Sequence, residues 1–313
     1  MTEHKRQDLL VAVFTHDRTD ILPLNLLSLL NQSYQLFDVL IVDDASTIPI
    51  TQHPLVYGFI TKLKSAGHNI ILVRAEQNNG IAFNRAKVIK TLKDYKYIMD
   101  LNDDHVLDRD CLKELMTVLT QEDVVAVGSA TPLFIVDEEK VIKKLPPKLE
   151  PFSLNKLWVD GNELQLTRDV DTLYVDDTGS IIDYPIECDH ISQFMYKPEF
   201  LQDDELPLEY SVVGFTEETD LSLRLKRNSG KKLMFLPSAI NWHVHYPKGG
   251  VRTIQNESLF KALTTKDYNL FKTNWLEWVK QNGHGFTDEQ KKDNVNILSR
   301  IITMSPKDRV LRS

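Results

Sequence analysis

Short apolar runs that end in clusters of acid and histidine constrain this chain more than any other feature. Residues 9–14 (LLVAVF) form one, and residues 39–42 end at Asp43-Asp44. Residues 69–73 form a third, residues 97–101 run into Asn102-Asp103-Asp104-His105, and residues 124–127 form a fifth. Runs this short and this continuously apolar are what strands buried on both faces look like. The intervals between them carry helix signals. Asp20 is placed to cap a helix with Pro23 in its first turn and Leu26, Leu27 and Leu30 on its apolar face. Another helix follows Gly80 and runs to about Lys93. Asp108 is placed to cap a helix with Leu112, Leu115, Met116 and Leu119 at i, i+3, i+4, i+7. Strands alternating with helices predict an α/β fold with a mostly parallel, three-layer central sheet.

The pattern changes after residue 128. Pro146, Pro147 and Pro151 punctuate the chain, and two turn signals follow, Asp160-Gly161-Asn162 and Asp177-Thr178-Gly179. The flanking runs (157–159 with 164–167, 173–175 with 181–182) predict two β-hairpins inserted into the sheet. A helix is expected from Thr216 to Gly230, a strand over residues 233–236, and a helical extension from Val251 onward. Three units follow: residues 1–128, residues 129–250 with the hairpins, and the extension 251–313.

Charge sharpens this division. The 313 residues carry 37 Lys and Arg against 45 Asp and Glu, a net charge of −8. Between Asp160 and Asp189 stand nine acids and one base, Arg168, so the whole excess sits on the two hairpins. The rest is balanced, and a broad nucleic-acid-binding face is disfavoured. With 42% hydrophobic residues the chain is an ordinary globular one. Cys111 and Cys188 are too few for a disulfide scaffold, which points to a reducing compartment. Residues 1–7 hold no apolar signal core, and the apolar stretch 21–30 is interrupted and too short to span a bilayer. A cytoplasmic protein without a transmembrane segment is expected.

Ligands of open α/β sheets bind beyond the carboxyl ends of the strands. Here those ends carry Thr15-His16-Asp17-Arg18, Asp43-Asp44 and Asn102-Asp103-Asp104-His105. Carboxylates beside an imidazole suit Mg²⁺ or Mn²⁺, and histidine tilts the choice toward Mn²⁺. His243 and His245, after the late strand, are further candidate ligands. No Cys or His cluster has structural-zinc spacing. Thr216 would cap the helix that opens with Glu217-Glu218. A carboxylate fixed there near a metal can act as a general base. The helix dipole alone also selects acids at a helix start, so both readings stand at this point.

Taken together these residues resemble the family 2 glycosyltransferases, which have the GT-A (Rossmann-like) fold. The resemblance runs from Leu9 to Pro247. Thr15-His-Asp-Arg18 resembles the family's T-x-x-R turn, and Ser28-Leu-Leu-Asn-Gln32-Ser-Tyr34 its S-L-L-x-Q-x-Y. Val42-Asp-Asp-Ala-Ser46 is similar to its V-D-D-x-S, and Asn78-Asn-Gly80 through Arg85 to its N-x-G-x-x-x-x-R. Glu217-Glu218-Thr-Asp220-Leu-Ser-Leu-Arg224 resembles its E-D-x-D-L-x-x-R.

The resemblance implies an inverting, metal-dependent hexosyltransferase that moves a sugar from a nucleotide-sugar donor, a UDP-sugar, to an acceptor hydroxyl. The acceptor is open: a glycan, a lipid-linked glycan, a protein or a modified base. Thr15 and Asp43 would contact the base, and Arg85 would lie over the base or diphosphate. Arg18, Asp44, Asn102 and Asp103 belong to the same nucleotide side. Asp104 would hold Mn²⁺ or Mg²⁺, with His243 completing the shell and His245 as the fallback. Glu218 would be the catalytic base, with Glu217 and Asp220 supporting acceptor binding and the helix start. Asn102 replaces the first acid of the usual Asp-x-Asp, so Asp103-Asp104-His105 is an alternative register. Glu218 stands where Asp is commoner.

In this frame residues 1–128 form the nucleotide-sugar half and residues 129–250 the acceptor and catalytic half. The acidic hairpins lie where the family builds its acceptor side, which implies a neutral or cationic acceptor. The competing readings are a non-catalytic carbohydrate-binding protein derived from such an enzyme, and a sugar nucleotidyltransferase. The latter lacks its glycine-rich loop after the first strand. Trp275 and Trp278 read as packing residues, Cys188 as a small buried one. His190 beside Asp189 reads either as an acceptor contact or as a surface pair. The C-terminal helices read either as packing on the catalytic unit or as a homodimer interface.

Overall fold

The computed structural model describes residues 6–282 except 93, 133–141, 145–154, 168–172, 177–179, 202–203, 205 and 247. The elements follow in chain order. They are β1 (Leu9–Thr15), α1 (Leu22–Leu30), β2 (Phe37–Asp43), α2 (Pro54–Ser65), β3 (Ile70–Arg74), α3 (Ile81–Thr91) and β4 (Tyr97–Asn102). Next come β5 (His105–Leu107), α4 (Cys111–Leu119), β6 (Val124–Ala130), β7 (Ile142–Lys144), β8 (Leu157–Asp160), β9 (Glu163–Leu166) and β10 (Leu173–Val175). The chain continues with β11 (Ile186–Cys188), β12 (Phe194–Tyr196), α5 (Glu217–Ser229), β13 (Lys232–His243) and α6 (Glu257–Asn282).

The main sheet has the order β11-β13-β6-β12-β4-β1-β2-β3, with β5 paired to the far end of β13. Strands β3, β2, β1 and β4 run parallel. Strand β12 is antiparallel between β4 and β6, and β13 runs parallel to β6. The sheet is the mixed, mostly parallel one of a GT-A fold.

Strands β1, β2 and β6 are continuous apolar runs because both faces are covered, whereas the edge strand β3 is half-exposed to exposed throughout. Leu9, Val11 and Val13 of β1 pack with Leu22 and Leu26 of α1, Val56 of α2 and Leu112 of α4. The alternate residues Leu10, Ala12 and Phe14 pack with Ala82 and Ala86 of α3 and Leu221 and Leu225 of α5. A third cluster joins Phe271, Trp275 and Val279 of α6 to Leu157 and Leu164 of the β8–β9 hairpin and Leu223 of α5. Each such buried side chain contributes about 1.5–3 kcal/mol. The extension therefore packs on its own chain. Trp275 is fully buried, with Trp278 edge-on against it. Among the described residues no helix is long and apolar enough to cross a membrane.

Several local expectations are corrected. Asp20 does not cap α1. The Arg18 carbonyl accepts the first amides (Ile21, 3.2 Å; Leu22, 3.0 Å), and Asp20 accepts the Tyr246 hydroxyl at 2.8 Å. Nor does Asp108 cap α4, which opens after Asp110; the Asp108 carboxylate accepts the Trp242 indole N–H at 2.8 Å. Helix α2 went unread. Its buried residues are Val56, Ile60 and Leu63, with Phe59 partly buried against the same core, while exposed Leu55 and Tyr57 blur the period. The first hairpin forms as β8–β9. Of the second, Val175 bridges Ile181, and its turn at 177–179 lies outside the described residues, as do Pro146, Pro147 and Pro151. Strand β13 reaches His243, far beyond residue 236, because its second half finds a partner in β5.

Candidate active site

The ends of β1, β4 and β13 and the start of α5 meet at one pocket of about 330 Å³. This is within the size range of small-molecule sites. Strand β4 stops at Asn102, and the turn after it returns as β5, which pairs with β13 and sets His105 opposite His243. Helix α1 braces this turn from behind. The Asn25 amide donates to the carbonyls of Asn102 (3.0 Å) and His105 (2.9 Å). Asp104, His105 and His243 form a group whose ligating atoms all lie within 4.8 Å of one another. Asp104 Oδ2 is 3.5 Å from His243 Nε2. His245 is exposed, at φ 54, and lies outside this group.

Burial pushes the His105 imidazole down to about 3, and His243 beside it adds to the effect, so the ring is neutral. Burial opposes ionisation of Asp104. The hydrogen bond from His243 and the charge of Arg18 outweigh it and hold the carboxyl well below its usual range. An ionised carboxylate beside a neutral imidazole is the protonation state that ligates a metal. One oxygen donor and two imidazoles fit a divalent ion of the Mn²⁺ type. Asp103 has another partner. Arg18 Nη1 donates to its Oδ1 at 2.8 Å and lies 2.9 Å from Asp104 Oδ2. Burial nevertheless pushes the Asp103 carboxyl up to about 6.

Thr15, Arg18, Asp44, Asn102 and Asp103 all reach the pocket wall. Asp44 accepts the amides of Asn79 (3.0 Å) and Gly80 (2.8 Å) and so fixes the entry to α3. Gly80 is required there. Its φ is 84, and a Cβ would stand 2.5 Å from the Val212 Cα. Asp43 is not on the wall. Its carboxylate turns away to the amides of Ser46 (2.9 Å) and Ile50 (3.3 Å) and to Arg74. Asp43, expected at the nucleotide base, shapes this loop.

The start of α5 builds another wall of the pocket. Thr216 holds the cap position in the left-handed region, at φ 70, and its hydroxyl donates back to the Phe215 carbonyl. Thr216 is thus the N-cap residue, as expected, but its side chain makes no capping bond, and Glu217 Oε2 accepts the Glu218 amide at 2.8 Å. Glu217 and Glu218 both reach the pocket, Glu218 half-buried. Asp220 does not. It is fully buried, accepting the Tyr210 hydroxyl (2.9 Å) and Arg224 Nε (2.6 Å), so it anchors the start of α5, as expected, away from the pocket wall.

Arg85 is likewise corrected. Its guanidinium is 1% exposed and lies beneath the pocket. It sits 2.8 Å from Asp100, 2.5 Å from Glu217 and 3.6 Å from Glu218. Burial pushes the Asp100 carboxyl up to about 6, against the pull of Arg85. A carboxyl whose folded value is raised holds a proton that the unfolded chain releases. Its stabilising contribution is complete below about 4 and is lost as pH rises through about 6. Asp100→Asn is expected to flatten the pH dependence of stability across this window by a few kcal/mol. Urea unfolding at pH 4 and pH 7 checks it, and parallel curves for variant and wild type would refute it.

Four residues went unread in the sequence: Asn25, Asp100, Gln193 and Asp267. Asp267, fully buried on α6, accepts Ser211 N (2.7 Å), Ser211 Oγ (2.7 Å) and Phe215 N (2.9 Å). It ties the extension to the loop that carries Val212 and Phe215 on the pocket wall. The acidic segment behaves differently from expectation. None of its described acids reaches the pocket; Glu163 pairs with Lys272 of α6 at 2.5 Å, and Asp189 is buried within 4.0 Å of Lys156 and Lys226. Arg168, Asp169, Asp171 and Asp177 lie outside the described residues. His190 is no surface pair: it is 1% exposed, with Nε2 2.9 Å from the Thr167 carbonyl.

A family model described as "Glycosyl transferase family 2" matches residues 10–167. Among solved structures, the chain is similar to GalNAc-T7, crystallised with UDP, GalNAc and Mn²⁺. The TM-score is 0.56 at 12% identity, over 75% of this chain and 42% of that one. It is also similar to S. aureus TarS, with a TM-score of 0.52 at 13% identity over 96% of this chain and 44% of that one. With the 1–349 form of TarS in complex with UDP-GlcNAc the TM-score is 0.54 at 14% identity, over 96% and 74%. The chain spans less than half the length of the first two. No curated protein matches it.

Proposed function

The chain belongs to glycosyl transferase family 2, and from that premise we propose a metal-dependent, inverting transfer of a sugar from a UDP-sugar to an acceptor hydroxyl. The observation that carries the reading is the meeting of Glu218 with Asp104 and His243 on the walls of one pocket. UDP is favoured because it accompanies the similar folds of GalNAc-T7 and TarS.

The donor's nucleotide lies along Thr15, Asp44 and Asn102, with its diphosphate toward Asp104. A divalent ion held by Asp104, His243 and His105 would neutralise charge on the departing diphosphate. Glu218 accepts the proton of the acceptor hydroxyl while its oxygen attacks the anomeric carbon. The bond from that carbon to the phosphate oxygen breaks, and its electron pair leaves with UDP. A single displacement of this kind inverts the anomeric centre. The Arg18 guanidinium, beside both Asp103 and Asp104, keeps this cluster from carrying its full negative charge toward the phosphates.

Calorimetric titration with UDP, with and without Mn²⁺, tests the metal reading. Wild type is expected to bind UDP at least tenfold more tightly with Mn²⁺, and Asp104→Asn to lose that gain. Equal affinity in all arms would remove Asp104 from the ligand set. Release of UDP from UDP-GlcNAc, UDP-GalNAc or UDP-glucose in the presence of simple glycosides then identifies the donor.

A further inference from the structure

Gln193 sits in a conformation that glutamine does not favour. Its φ is 53, in the left-handed region, and the residue is 6% exposed. Such a backbone persists only where its surroundings hold it, and non-glycine residues held this way concentrate at functional sites. Here the holding is explicit. Ser129 donates to the Gln193 carbonyl from both its amide (3.2 Å) and its hydroxyl (3.3 Å).

The side chain gives the backbone nothing in return. Its Nε2 donates to Glu218 Oε1 at 2.7 Å, while its own Oε1 is buried without a partner. The amide's orientation follows from chemistry, since an ionised carboxylate only accepts. Arg85 lies farther from the same oxygen, at 3.6 Å, and is already engaged by Asp100 and Glu217. Gln193 thus makes the one short hydrogen bond to the Glu218 carboxylate among the described residues. Gln193 does not reach the pocket wall, so it acts through Glu218.

We propose that Gln193 is a positioning residue for the transfer. With Arg85, it pins Glu218 by Oε1 and leaves Oε2 to meet the acceptor hydroxyl. The assignment rests on Glu218 being the base. A strained backbone, a buried unpaired carbonyl oxygen and one short bond to the reacting carboxylate are together the signature of a residue kept for geometry rather than stability.

The test compares Gln193→Gly, Gln193→Asn and Glu218→Gln with wild type in melting temperature, UDP–Mn²⁺ affinity and steady-state release of UDP from the donor identified above. Glycine suits φ 53. Gln193→Gly is therefore expected to melt at or above wild type and to keep UDP affinity and donor KM, while kcat falls about 10- to 100-fold. Gln193→Asn, which tolerates the same backbone and retains an amide, is expected to recover part of that rate. Wild-type kcat in Gln193→Gly overturns the assignment. So does a rate loss that comes with a lower melting temperature and weaker UDP binding, which would mark the side chain as structural. Glu218→Gln separates the two levels. If it is inactive while Gln193→Gly is not, only the role of Gln193 falls; if it turns over like wild type, both fall.

Discussion

Glu218→Gln is expected to lower kcat by about 10²- to 10⁴-fold, the range that general-base catalysis supplies, while UDP–Mn²⁺ affinity stays within twofold. The substitution is nearly isosteric and leaves the start of α5 in place, because the carboxylate that accepts the Glu218 amide belongs to Glu217. It removes the one pocket carboxylate of α5 with an oxygen not already committed. Glu217 cannot substitute, since its two oxygens serve Arg85 and the Glu218 amide and it is only 5% exposed. Glu217→Gln is correspondingly expected to weaken the Arg85 cluster and to act through stability as well as rate. Nucleotide-release kinetics together with calorimetry distinguish the two. Wild-type turnover by Glu218→Gln would remove it from the chemistry, and lost UDP affinity would make it a binding residue instead.

Which parts of this site could be read from the sequence follows from range. Strands β1, β2 and β4 are covered on both faces, so their apolar runs are continuous and their polar ends stand out; Asp104 was legible as a pocket residue for that reason, and Glu218 from the acidic start of α5. What the side chains do beyond a strand end depends on the turn. Asp43 and Asp44 are neighbours with equal chemistry, yet the turn commits Asp43 to Ser46, Ile50 and Arg74 and sends Asp44 to the pocket. Strand β5 is three residues long and exists only because β13 continues past residue 236, so the pairing of His105 with His243 had no local signal, although the family resemblance already set His243 ahead of His245. The acidic segment misled for a related reason. A net charge says nothing of where its partners lie, and Lys272, Lys156 and Lys226 are brought to it by the fold. Local rules failed at Asp20 and Asp108 because Tyr246 and Trp242, both distant in sequence, claim their carboxylates.

Arg85 shows the same effect at its strongest. An arginine between Asn84 and Ala86 on a helix reads as a surface or ligand residue, yet this one is buried among Asp100, Glu217 and Glu218. Burial of its guanidinium is tolerable only because those carboxylates raise its affinity for the proton and keep it charged. Removing one partner of a buried charge cluster is far costlier than replacing the whole. Arg85→Met is accordingly expected to destabilise the chain by about 3–5 kcal/mol at pH 7, with kcat also reduced because Glu218 loses one of the two groups that hold Oε1. The loss should be smaller at pH 5. Without Arg85 the Asp100 carboxyl rises further above its unfolded value, so the variant gains stability as pH falls and protonation removes the unpaired charge. Arg85→Met with Asp100→Asn should recover part of the stability at pH 7 but not the rate, since the hold on Glu218 is still missing. Urea unfolding at both pH values checks the cycle. Equal losses at pH 5 and pH 7, or additivity of the two substitutions, would show that Arg85 supports the site through packing and not through charge.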